Sequence, residues 1–103
     1  MKLVSWNCRG LGGSQKTKVI KRFKSMESVS ILLIQETKKM AEGSLTTLKK
    51  NWPKGEGIAI SANGASRGLL YWWDSEKFVM HTAIENKNWL FIKLENKENK
   101  EMF

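Results

Sequence analysis

The sequence is poor in the residues that build most metal, redox and disulfide sites. Its 103 residues include one cysteine (Cys8), one histidine (His81), one proline (Pro53) and one aspartate (Asp74). A single cysteine excludes an internal disulfide framework, and a single histidine excludes a Cys/His zinc site of ordinary spacing. There is no Pro-rich linker and no internal repeat. The apolar runs, such as Ile31–Ile34, are short, far below the roughly 18 residues of a membrane span. This predicts that no membrane is a partner. The N-terminus, Met1-Lys2 followed by Leu3–Trp6, lacks the apolar stretch of a signal peptide, so the expected location is intracellular. A chain of 103 residues allows one domain, burying about two-thirds of its unfolded surface.

Positive charge, by contrast, is plentiful. Lys and Arg number 18 against 10 Asp and Glu, giving a formal net charge of +8 and a pI near 9.8. Arg9, Lys16, Lys18, Lys21, Arg22 and Lys24 lie between Cys8 and Met26 with no acid among them. Such a block attracts phosphate, from nucleic acid or from a nucleotide. The plain alternative is a solvated helix face. Glu95–Glu101 reads ENKENKE, with nothing to bury. The division expected is therefore a domain over 1–94 and a polar charged tail over 95–103.

Patterning predicts an α/β chain. Lys2–Asn7 reads as a strand, Arg9–Gly13 as a glycine-rich turn, and Ser14 as the cap of a helix starting at Gln15. On that helix Val19, Ile20, Phe23 and Met26 form an apolar stripe at helical spacing. Ser30–Gln35 holds a run without alternation, the habit of a parallel strand covered on both sides. Residues 2–36 thus read as one strand–helix–strand unit. A weak helix follows over Glu42–Lys50, then a strand over Gly57–Ser61 and a turn cluster, Asn63-Gly64-Ala65-Ser66. Strands over Gly68–Trp73, Lys77–Ile84 and Trp89–Leu94 are joined by connections of hairpin length, which predicts antiparallel pairing within a mixed sheet. Tyr71, Trp72, Trp73, Phe78, Trp89 and Phe91 are expected mainly in the core; the alternative is a platform for stacking bases.

Two parallel strands joined by a crossover present their carboxyl ends side by side, where ligands of open α/β sheets bind. Here those ends carry Asn7 and Gln35-Glu36. A carboxylate held at a sheet rim is an apt ligand for magnesium, which takes one or two carboxylates and completes its shell with water and phosphate oxygens. Asn7 can donate to a phosphate oxygen or accept from water. The plain alternative for Glu36 is an ordinary strand-end acid. In the same region Gly10–Thr17 approaches the P-loop pattern of a nucleotide binder, but Gln15 stands where glycine lets the backbone wrap phosphates.

Ser5-Trp6-Asn7-Cys8-Arg9-Gly10-Leu11-Gly12 and Ile31-Leu32-Leu33-Ile34-Gln35-Glu36-Thr37 resemble the opening of the endonuclease/exonuclease/phosphatase superfamily, with its DNase I-like fold. Together with Gly64–Asp74 the wording is most similar to the endonuclease domain of LINE-type non-LTR retrotransposons. The resemblance covers most of the chain but only the N-terminal portion of the family's domain. It implies the first part of a DNase I-like α/β sandwich, with two packed mixed sheets flanked by helices, and hydrolysis of phosphodiester bonds. It implies Asn7 positioning the scissile phosphate or attacking water, and Glu36 binding a catalytic divalent metal, magnesium or manganese. Arg9 and the following loop would lie near the substrate backbone. The partner implied is DNA, or RNA, with no small-molecule cofactor, and the charge of the basic block makes Arg9, Lys16, Lys18, Lys21 and Arg22 the expected contacts with its phosphates. The location implied is nuclear where the substrate is genomic DNA.

The sequence departs from that family in lacking the Asp-x-Asn and Ser-Asp-His motifs that complete its site. Asp74 falls in a predicted turn, His81 falls mid-strand as a structural residue, and Arg67 stands where the family commonly has glycine. The expectation is a truncated family member with little or no nuclease activity alone. The alternatives are a non-catalytic basic module that binds nucleic acid, a decayed reading frame whose uncovered apolar faces self-associate, or a P-loop-like nucleotide binder.

Overall fold

The computed structural model describes residues 2–26, 29–63, 67–86 and 89–103. The elements run β1 (Lys2–Asn7), α1 (Gly13–Ser25), β2 (Val29–Gln35), α2 (Ala41–Asn51), β3 (Gly55–Ile60), β4 (Leu69–Asp74), β5 (Phe78–Asn86) and β6 (Trp89–Asn96). A four-stranded sheet has the order β1-β2-β4-β3, and β5 and β6 form a second sheet. The β1–β2 pair is parallel, while β4 is antiparallel to both β2 and β3. The first sheet is therefore mixed, as the patterning predicts.

Strand β2 lies between two layers. Leu32 and Ile34 join Ile20, Leu48, Leu70 and Trp72 in a core under the helices. Ile31 packs on the opposite face with Trp73, Phe78 and Leu94, against the second sheet. A strand apolar on both faces reads as an unbroken hydrophobic run. On α1, Ile20 is buried and Phe23 meets Trp6 edge-on at 5.8 Å, but Met26, the end of the expected stripe, is exposed. Glycines at 55 and 57 extend β3 two residues earlier than the sequence suggests, because the Trp72 indole fills the space where side chains would stand.

Several expectations need correction. Helix α1 begins at Gly13 with Gly12 as its N-cap and no side-chain capping bond. The Gly12-Gly13 pair turns the chain two residues before Ser14, whose carbonyl accepts from the Thr17 hydroxyl. The 75–77 connection does not close a hairpin. Both edges of β4 are already taken by β2 and β3, so the chain turns a corner into the second sheet. Its turn is fixed by Asp74 Oδ1 accepting from the Glu76 amide at 2.9 Å. The β5–β6 pair is antiparallel as expected; residues 87 and 88 of its connection lie outside the described residues, as do 64–66 of the turn cluster. Trp72, Trp73 and Phe78 are buried and Tyr71 half-buried, whereas Trp89 and Phe91 are exposed. The 95–103 segment turns back on β6: Leu94 and Phe103 exchange backbone hydrogen bonds of 2.9 and 2.8 Å, and the Phe103 ring meets Phe78 at 5.8 Å.

Candidate functional site

Beyond Asn7 and Gln35 the first two strands keep exchanging hydrogen bonds. Cys8 N donates to Gln35 O at 3.1 Å, Gly10 N to Glu36 O at 2.8 Å and Leu11 N to Thr37 O at 2.7 Å. From the other side, Thr37 N donates to Gly68 O at 3.3 Å and Lys38 N to Arg67 O at 2.9 Å. The segment 36–38 is clamped between the loop after β1 and the approach to β4. The clamp imposes left-handed backbone conformations on Glu36 (φ 56°) and Lys38 (φ 54°). Side-chain-bearing residues occupy that region only where surrounding structure over-determines it, as functional sites often do.

The clamp aims the Glu36 carboxylate at Asn7. Asn7 Nδ2 donates to Glu36 Oε2 at 2.5 Å, and Arg67 Nη1 stands 3.5 Å from Oε1. The Asn7 amide beside it holds the Glu36 carboxyl below its ordinary range; partial desolvation opposes this, and the charges of Arg67 and Lys38 reinforce it. Glu36 is thus ionised at neutral pH, with each oxygen met by a different donor.

The other sequence-derived residues sit around this pair. Arg9 is exposed at φ 53° in the loop after β1. Lys16 donates to Cys8 O at 2.5 Å and places its ammonium 5.8 Å from the centre of the Trp6 ring. Lys18, Lys21 and Arg22 are exposed on α1, one helical turn apart, so they share a face. The P-loop reading does not survive this geometry. Gln15 lies inside the first turn of α1, and the Lys16 ammonium is turned to a backbone carbonyl.

Sequence reasoning missed the lysines beside the loop. The Lys38 and Lys39 stems run along the backbone at Gly10 and Gly12, adding cations to the same rim. It also missed Arg67 as the ion partner of Glu36, noting it only as a departure. The signal lies in the register of β2 and β4. Gln35 pairs with Leu69, which brings residues 67 and 68 alongside 36–38.

Neither Asp74 nor His81 joins the site. Asp74 is at the far end of β4, paired with Gly55 rather than with the end of β2. His81 is on the second sheet, where its Nε2 lies 2.6 Å from Glu95 Oε1. Among the described residues no group of three or more His, Cys, Asp or Glu side chains converges to hold a metal ion. A magnesium ion requires less than that: one carboxylate with water and substrate phosphate filling its shell. Glu36 is such a carboxylate, and the donor set fits that minimal arrangement.

No protein-family profile and no curated protein matches the chain. Solved structures do. An endonuclease/exonuclease/phosphatase family protein from Bacteroides thetaiotaomicron superposes with a TM-score of 0.72 at 15% identity, over 98% of this chain and 46% of that one. An endonuclease/exonuclease/phosphatase from Bacteroides vulgatus gives a TM-score of 0.72 at 15% identity, over 97% of this chain and 48% of that one. The chain has the endonuclease/exonuclease/phosphatase fold, and it spans about half the length of these two structures.

Proposed function

We propose that this chain is a portion of a divalent-metal-dependent phosphodiesterase of the endonuclease/exonuclease/phosphatase type, acting on a nucleic-acid backbone. The observation that carries the reading is the Asn7–Glu36 pair, held by a strained backbone where two parallel strands end. Glu36 is the metal ligand, for magnesium or manganese. A divalent cation there supplies Lewis-acid polarisation of a phosphoryl oxygen. Asn7 fixes the carboxylate through Nδ2, leaving its carbonyl Oδ1 to orient a water or a phosphate-bound group. Arg9, Lys38 and Lys39 border the loop across which a backbone would run, and the α1 cations extend the positive surface. The wording of residues 5–12 and 31–37 favours DNA as substrate, in the manner of LINE-type nucleases, and hence the nucleus.

Phosphodiester hydrolysis needs a positioned base as well as a metal. The described residues offer neither a second carboxylate nor a histidine beside Glu36, so the chain alone binds its substrate and cleaves it poorly or not at all. The test is duplex DNA binding and supercoiled-plasmid nicking, with and without magnesium, beside Glu36→Ala. The expected result is affinity that rises with magnesium in the wild type but not in Glu36→Ala, with little nicking in either. Efficient magnesium-dependent nicking lost in Glu36→Ala would overturn the expectation of low activity. Affinity indifferent to magnesium would overturn the metal reading. That outcome favours a non-catalytic basic module, which the shared exposed face of Lys18, Lys21 and Arg22 also supports.

A further inference from the structure

Arg67 does not reach Glu36 by the chance of a long side chain. Its carbonyl accepts from Lys38 N at 2.9 Å, and the neighbouring Gly68 carbonyl accepts from Thr37 N at 3.3 Å. The backbone at 67 is therefore hydrogen bonded to the segment that presents the carboxylate. Gly68 permits this approach, because its φ of 90° and its distance to the Thr37 hydroxyl leave no room for a side chain. From that anchor the guanidinium meets Oε1 at 3.5 Å, while Oε2 is taken by Asn7. The contact is long, and the Arg67 side chain is 74% exposed, so it is weak and easily displaced. Oε1 is the carboxylate oxygen without a short protein hydrogen bond, and hence the one a cation would take.

We propose that Arg67 is a built-in competitor for the divalent cation at Glu36, so that a cation binds there only by displacing the guanidinium. This inference rests on Glu36 being the metal ligand. With one negative charge at the site and Arg67 against it, the pair is close to neutral before any ion arrives. Lys38 adds a further positive charge nearby. A divalent ion must break the ion pair and then tolerate the displaced arginine within a few ångströms. Arg67 thus lowers cation affinity in the free protein. A bound phosphodiester reverses the penalty, since the guanidinium can turn to the phosphate and release Oε1. The residue makes cation binding depend on the presence of substrate.

The test is manganese binding followed by electron paramagnetic resonance, in which bound and free ions give separate signals and no turnover is needed. The proteins are wild type, Arg67→Gln, Arg67→Lys, Glu36→Gln and the double variant Arg67→Gln/Glu36→Gln. Arg67→Gln should tighten manganese binding about three- to tenfold, Arg67→Lys should stay near wild type, and both Glu36→Gln proteins should lose the site. Position 67 is exposed, and circular dichroism of each variant checks that it is folded. Equal or weaker binding in Arg67→Gln, still lost on adding Glu36→Gln, would overturn the competition while leaving Glu36 as the ligand. Binding indifferent to Glu36→Gln, or absent throughout, would overturn the site reading and the competition together.

Discussion

Gly68 lies against Thr37 so closely that a Cβ on it would stand 2.0 Å from the threonine hydroxyl. Its backbone also sits at a φ of 90°, where any other residue is strained. The Thr37 hydroxyl is itself buried without a partner. Gly68→Ala should therefore destabilise the protein by about 2–4 kcal/mol, from backbone strain and overlap together. Thr37→Val, which removes the orphaned hydroxyl and keeps the shape, should stabilise it by about 1 kcal/mol. Urea unfolding followed by tryptophan fluorescence measures both. A neutral Gly68→Ala would mean that the clamp around residues 36–38 is looser than described.

The Asn7–Glu36 hydrogen bond should be visible in the titration of the carboxyl group. A carboxyl held below its ordinary range contributes stability at neutral pH, and loses it as pH falls through the lowered value. In Asn7→Ala the main cause of the lowering is gone, while the desolvation that opposes it remains. Glu36 should then take up its proton at a higher pH than in the wild type. Carbon-13 NMR of the glutamate carboxyls reads this directly; an unchanged midpoint would show that Asn7 does not govern the group.

Salt should separate the helix face from the strand-end site. Reversing the charges of Lys18, Lys21 and Arg22 should weaken DNA binding about tenfold or more at low salt and flatten its dependence on salt concentration. Glu36→Ala should leave the salt slope in place. If the triple variant binds like the wild type, α1 is a solvated face and the contact lies along the loops.

Cys8 is buried beneath the site, its Sγ 3.5 Å from the carbonyls of Gln35 and Glu36. Burial pushes its thiol above the ordinary value of 9.0, against smaller opposing contributions from the Gly10 amide and Lys16. The folded thiol should resist an aromatic disulfide reagent at pH 8 and react at once in urea. The sign for stability is opposite to that of Glu36. The contribution is complete below the unfolded thiol's ordinary value and is lost as pH rises from there toward the folded value. Cys8→Ala should remove this alkaline decline, which thermal melts across pH 8–11 would detect.

The strand–helix–strand unit was legible in the sequence because its signals are local. Four consecutive apolar residues at Ile31–Ile34, short and following a basic amphipathic helix, suit a strand covered on both faces. The corner at 75–77 was not legible. A short connection permits a hairpin but does not require one, and what forbids it is the occupation of both edges of β4 by strands encoded earlier. The exposure of Trp89 and Phe91 was hidden for a related reason, since composition does not say which sheet face finds a cover. At the site, Asn7 and Glu36 could be placed together from two strand ends. Arg67 could not, because its position follows from a register between segments 31 residues apart.

The left-handed backbone at Glu36 also sets a cost on the residue that stands there. An acid at a φ of 56° is a poor choice for folding alone, and glycine or asparagine would settle there with less strain. Glu36→Gly should therefore relieve backbone strain at the end of β2 while removing the carboxylate.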